Sequence, residues 1–128
     1  MLYSYEKVDE LENNDMVGTH QCVALVQHYA GAPVTSAWRQ GDAVVGHALL
    51  KKGTAIATFV NGRYANRAHG NHAALFLRHA PGGIYVVDQW KTKKGGKITS
   101  RFIRSQGRDK KGNFKYPSDN ADAFFVIN

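Results

Sequence analysis

Cys22, in the stretch "GTHQCVALVQ", is the one cysteine in 128 residues. Alone it closes no disulfide within the chain, and zinc sites built on several cysteines are excluded. Two roles remain for it: a small buried hydrophobe or a nucleophile. The second needs an ionised sulfur, and the start of a helix favours that state. Unpaired backbone N–H groups and the helix dipole stabilise negative charge there. A free thiol ionises near pH ~8.5, and a helix N-terminus or a neighbouring imidazolium lowers this to roughly 3.5–7.5. The same N–H groups can receive the oxyanion of a tetrahedral intermediate.

A thiolate nucleophile needs a base, and the chain offers six histidines. His20 and His28 share the cysteine's helix, and His47 and His79 lie near loops. His69 and His72 flank "GN" just before a strand. His72 opens an alternating run and so shares a face with Ala74 and Phe76, where small neighbours leave room for substrate. No carboxylate or cysteine is spaced to complete a metal site around His69 and His72, so neither metal nor cofactor is expected. With "APGG" as a four-residue connection, the following strand sets His72 opposite Trp90 and diagonal to Asp88. Val86, Asp88 and Trp90 then point the same way as His72, while Val87 and Gln89 point away. An aspartate inside an apolar strand is expensive to bury without a partner. Beside an imidazole, it fixes the tautomer and stabilises the imidazolium formed during acyl transfer. The plainer readings stand beside this one: a buried helical cysteine, and a histidine at a strand start bonded to a carbonyl.

The elements that must position these groups follow from periodicity. "HQCVALVQHYAG" reads as the clearest helix, with Thr19 as N-cap, a buried face of Cys22, Leu25, Val26 and Tyr29, and Gly31 then Pro33 as its stop. "KVDELENND" reads as a short first helix. Further on, "GDAVVGHALL" opens as strand or loop, "GTAIATFV" is a β-run ended by the "NGR" turn, and "HAALFLRH" and "GIYVVDQW" form the hairpin. "SRFIRS" suits a basic edge strand, "GRDKKGNFKYPSDN" a turn-rich loop, and "AFFVIN" a final strand. One helical beginning followed by an antiparallel sheet predicts a single α+β domain over residues 1–128.

Charge narrows the partners. The chain has a net charge of +7, with five acids against Lys7 in residues 1–15 and ten lysines and arginines against Asp109 in residues 91–115. Such a balance favours anionic partners: nucleic acid, a membrane surface or a polyanionic wall polymer. No apolar stretch approaches the roughly 20 residues that span a bilayer, so membrane insertion is not expected. Acidic residues occupy the place of a signal peptide's apolar segment, and no signal peptide is expected.

A "QC" at a helix start, a "G-x-H-x-A" strand and a hairpin to a carboxylate-bearing strand resemble the papain-like CHAP and NlpC/P60 superfamily of peptidoglycan amidases. That superfamily includes the small amidase effectors of type VI secretion. The matching pieces are "HQCVALVQ" at 20–27, "GNHAALFL" at 70–77 and "GIYVVDQW" at 83–90. The resemblance implies a papain-like, NlpC/P60-type fold with the cysteine-bearing helix packed on an antiparallel sheet. It implies Cys22 as nucleophile, His72 as general base and acid, and Asp88 as the orienting third member. The implied reaction is hydrolysis of amide bonds in peptidoglycan stem peptides through a thioester. Gln21 matches the glutamine before the nucleophile in CHAP domains, with the backbone N–H of Cys22 as an oxyanion donor. Where many relatives carry histidine, glutamate or a following asparagine, this chain has Asp88 and Trp90, which makes Trp90 a groove wall. In the loop "NGRYANRAHGN", a candidate lip of the cleft, Arg63, Tyr64 and Asn71 are the expected substrate contacts.

Two other functions compete. Phe102, Phe114 and Tyr116 between cations would suit a module that binds single-stranded nucleic acid or another polyanion. The same thiol chemistry would also serve an acyl-transfer enzyme acting on proteins, since the constellation states the reaction and leaves the substrate to the groove. A wall hydrolase without a signal peptide would be made in the cytoplasm and reach the wall by lysis, another export route or injection into a neighbour. The last would imply an immunity protein that plugs the cleft.

Overall fold

The computed structural model describes residues 3–128, so the first two residues of the acidic start lie outside the described residues. Its one α-helix among the described residues, α1 (Cys22–Ala30), is followed by six strands: β1 (Gln40–Ala43), β2 (Ala55–Thr58), β3 (Ala73–Ala80), β4 (Gly83–Asp88), β5 (Thr99–Arg104) and β6 (Phe124–Ile127). They form one antiparallel sheet in the order β1-β6-β2-β3-β4-β5. The basic run "SRFIRS" is an edge strand, as its charge suggests, whereas the last strand threads between β1 and β2. "KVDELENND" makes only a 3₁₀ turn, Val8–Leu11, whose Val8 and Leu11 are buried.

Alternation along the strands builds a core on each face of the sheet. Ala55, Ala57, Ala73, Leu75 and Val87 meet Leu25 and Val26 of α1 on one side, with Trp38, Tyr64 and Ile98. Ile56, Ala74, Phe76, Val86, Ile103, Phe124 and Val126 form the other, closed over by Val44, Leu50 and Ala121. The helix therefore packs on an antiparallel sheet in an α+β fold, with Cys22 and Tyr29 half-buried on its inner face.

Two local expectations fail, for identifiable reasons. Thr19 is not the N-cap of α1; Gln21 holds that place with extended backbone and makes no side-chain cap. Gly18 and His20 both sit at positive φ, and His20 N–H donates to the Val17 carbonyl, so a separate turn ends just before the helix. The hairpin also differs. Ala80 pairs with Gly83, leaving a two-residue turn of Pro81 and Gly82, with Gly82 at φ 77. Proline followed by a residue at positive φ is the type II pattern. The register at the turn, with His79 opposite Ile84, would by itself carry His72 to the level of Lys91, and a bulge between Phe76 and Arg78 moves the strand by one place. Below the bulge Leu75 faces Val87, and the same register carried three residues on sets His72 level with Trp90.

Candidate active site

His72 lies just before β3, where the sheet ends and side chains can face an open cleft. Its N–H donates to Thr58 Oγ1 (3.0 Å) and its carbonyl accepts from Thr58 N–H (3.0 Å), which fixes the backbone against β2. The residue is only 5 % exposed. Trp90 stands edge-on to its ring at 5.9 Å and Phe124 at 6.3 Å, so the imidazole keeps one orientation.

Asp88, the last residue of β4, is wholly buried, and every hydrogen-bonded partner of its carboxylate is a cation or a potential one. Oδ2 accepts from His72 Nε2 (2.8 Å) and Arg101 Nε (2.8 Å), while Oδ1 accepts from Lys93 Nζ (2.7 Å). Lys93 reaches it because the turn after β4 folds back, with Lys93 N–H bonded to the Trp90 carbonyl. Its ammonium also donates to the carbonyls of Asp88 (2.9 Å) and Thr99 (3.0 Å), which fills its three donor places. Arg101 donates in addition to Asp119 (3.1 Å). The aspartate is thus buried without a net penalty of unpaired charge.

Cys22 is the first residue of α1, where the opening N–H groups have no partner inside the helix. Its Sγ lies 3.7 Å from the hydroxyl of Tyr64. Tyr64 is held from two sides: its ring packs on Trp38 at 4.8 Å, and Asn71 Nδ2 donates to its oxygen at 3.3 Å. With that oxygen already accepting a bond, the phenolic proton is free to point at sulfur or at an oxyanion beside it. Since Nε2 of His72 belongs to Asp88, the ring's other nitrogen is the one available to the sulfur.

Charge sets the resting protonation. Burial opposes ionisation of Cys22, yet the hydrogen bond and charge of His72, with help from Tyr64, hold the thiol below its ordinary range. Burial likewise opposes the charged imidazole, but the bonds to Asp88 and Cys22 push His72 up to about 9. Burial would raise Asp88, and its bond to His72 and the charges of Arg101 and Lys93 hold it well below the usual carboxylate range instead. Tyr64 is pushed the other way, upward, by burial and by the sulfur, so its proton stays in place. A thiolate beside an imidazolium is the reactive form of a cysteine nucleophile.

A cleft of about 580 Å³ opens over this group, lined among others by Gln21, Cys22, Tyr64, Asn71, His72 and Trp90. Seven of the eight site residues expected from the sequence thereby meet in or directly beneath it, Asp88 standing behind His72. Arg63 does not: it is exposed and pairs across the "NGR" turn with Val60. The residues that sequence reasoning missed are Lys93, Arg101 and Gln89. Gln89 is wholly buried on the opposite face, where its amide accepts from Val17 N–H (3.0 Å) and donates to the carbonyls of Val17 (3.0 Å) and Gln21 (2.9 Å). That clamp ties the start of the cysteine helix to the end of β4. Its signal was present in the sequence, since a glutamine placed on the core side of a strand needs polar partners.

A helix-borne thiol facing an imidazole and carboxylate presented by an antiparallel sheet defines a papain-like cysteine hydrolase. The chain belongs to the family described as domesticated amidase effector 2, whose model matches residues 3–127, and it is an amidase. It is 43% identical over 132 residues to a type VI secretion amidase effector 2 protein of Salmonella typhi, covering 99% of each chain. It is 36% identical over 115 residues to a domesticated amidase effector 2 of Ixodes scapularis, covering 87% of this chain and 72% of the relative. A solved structure of a type 6 secretion amidase effector 2 superposes with a TM-score of 0.91 at 43% identity, covering 98% of this chain and 94% of that one.

Proposed function

We propose that the protein hydrolyses amide bonds in the stem peptides of peptidoglycan, with Cys22 as nucleophile, His72 as acid and base, and Asp88 as the group that orients His72. The thiolate attacks the amide carbonyl, and the developing oxyanion takes hydrogen bonds from the Cys22 N–H and the Tyr64 hydroxyl. His72, protonated at rest, gives its proton to the leaving amine as the C–N bond breaks, leaving a thioester on Cys22. The neutral ring then takes a proton from water, which attacks the thioester; the acid leaves and the sulfur returns as thiolate. Throughout, Asp88 keeps Nε2 engaged and balances the charge on the ring. Gln21, Trp90 and Asn71 line the groove with Cys22.

The observation behind this reading is the open cleft in which Cys22 and His72 shift each other's acidity. Membership in an amidase effector family supports the wall substrate. The same kinship supports delivery by type VI secretion, action in the wall of a target cell, and a cognate immunity protein that fills the cleft. Cys22→Ala is expected to keep the fold and to release no product from purified sacculi. Muropeptide release by that variant at the parent rate would sink the proposal.

A further inference from the structure

A second cleft, of about 560 Å³, continues from the first: both are lined by Arg67 and Gly70. Its wall is aromatic, with Phe59 and Phe125 edge-to-face at 6.5 Å and Phe114 against Phe125 at 6.1 Å. Two guanidinium groups border it, those of Arg67 and Arg108, and among the described residues no carboxylate lines it. The nearby acids are engaged elsewhere: Asp119 with Arg101, Asp122 with the Gly107 N–H, and Asp109 with the N–H groups of Lys111 and Asn113.

Arg108 is set in place by a loop that the sequence marks only as turn-rich. Its guanidinium lies 3.9 Å over the ring of Phe114, and one nitrogen donates to the Gly112 carbonyl at 2.6 Å. Most of the five donors of its planar fork are left over. The loop itself is tied down by Asn120, a wholly buried residue whose amide donates to the carbonyls of Gly107 (2.9 Å) and Lys115 (2.8 Å) and accepts from Gln106 N–H (2.8 Å). Arg108 and Phe114 also face each other across a β-bridge. A buried amide spent on an exposed basic loop makes sense where the loop must hold a shape. Binding there needs little ordering of the chain, and more of the contact energy appears as affinity.

We propose that this second cleft is an extended subsite for a carboxylate-bearing arm of the peptide substrate, with Arg108 and Arg67 receiving the carboxylate and Phe114 and Phe125 packing the aliphatic stem beside it. The inference rests on the amidase reading of the Cys22 site, since continuity with that cleft makes the occupant part of the same substrate. It assigns a task to part of the basic segment that neither the sequence nor the family resemblance explains.

Binding to the Cys22→Ala variant separates recognition from chemistry. The probes are a soluble crosslinked muropeptide dimer with free carboxylates and the same dimer with those groups converted to carboxamides, compared by titration calorimetry. A charge-assisted bidentate contact is worth about tenfold in affinity. Amidation is expected to weaken binding about tenfold, and adding Arg108→Gln to weaken the free-acid dimer by a similar factor while changing the amidated dimer less than about twofold. Equal losses for both dimers, or no loss for either, would overturn the subsite. Arg108 is exposed, so the variant folds without demanding repacking. Failure of the parent enzyme to cut either dimer would count against the amidase reading alone, because the binding contrast is measured without turnover.

Discussion

The imidazole of His72 is poised by what surrounds it on both nitrogens, with Asp88 at 2.8 Å on one side and the sulfur of Cys22 on the other. Its proton is lost only as pH rises through about 9, well above the usual histidine range. In the proposed mechanism that proton goes to the leaving amine, so activity is expected to fall on the alkaline side as pH passes about 9. On the acid side it falls where the thiolate of Cys22 is reprotonated, below the ordinary thiol range. In Asp88→Asn the main support for the charged ring is gone. The alkaline limb should move downward toward the ordinary histidine value, with kcat lower by about a thousandfold through loss of tautomer control. A pH–rate profile of the two proteins checks this, and an unmoved limb would mean that Asp88 does not act on the ring. Tyr64 offers a milder case. Tyr64→Phe keeps the packing on Trp38 but removes the hydroxyl beside the sulfur, and kcat is expected to drop about tenfold to a hundredfold with KM little changed.

Between elements, the decisive contacts run from the end of β4 to the start of α1. Gln89 supplies them: one buried amide holds the N–H and carbonyl of Val17 and the carbonyl of Gln21, just before Cys22. Gln89→Ala leaves buried backbone groups unpaired and is expected to lower stability by about 3 kcal/mol. It also frees the helix start to drift from His72, so kcat should fall more than KM rises. Urea denaturation and steady-state kinetics measure the two effects; a destabilised variant with parent kcat would make Gln89 merely structural. The sequence discloses this level unevenly. The two-residue period of the strands is enough to set His72 and Asp88 on one face and Gln89 on the other, because alternation is a local property. The turn that swings Lys93 under Asp88 is local, but nothing in "QWKTKK" singles out which lysine it carries inward. The start of the cysteine helix is held in addition by Gln89 from a distant strand, which no short-range pattern encodes. The hairpin shows the same division: the turn is shorter than "APGG" suggests, and the bulge near Leu77 brings His72 back to the level of Trp90.

Across the whole molecule, the positive excess is divided among several tasks. Lys93 and Arg101 turn inward to Asp88, Lys97 pairs with Asp15, and Arg108 borders the second cleft. Lys91, Lys94, Lys110, Lys111 and Lys115 stay exposed. Kinship with amidase effectors leaves the binding-module reading without support. The remaining surface charge suits capture of an anionic wall through long-range attraction, which salt screens. Raising ionic strength from about 0.05 to about 0.5 M is therefore expected to slow digestion of whole sacculi severalfold, since screening shortens the reach of the field to a few ångströms. Hydrolysis of a small uncharged amide should change far less. Equal salt sensitivity for both substrates would place the charge effect inside the cleft.

The solitary sulfur has a consequence for passage between compartments. With no second thiol in the chain, moving from reducing to oxidising surroundings can neither staple the fold nor scramble it. Peroxide meets a half-buried thiol held below its ordinary range by His72 and Tyr64, and oxidation is expected to take it stepwise to sulfenic and then sulfinic acid. Architecture and activity are thus uncoupled toward peroxide: a treated sample should melt as a native protein while its turnover is extinguished.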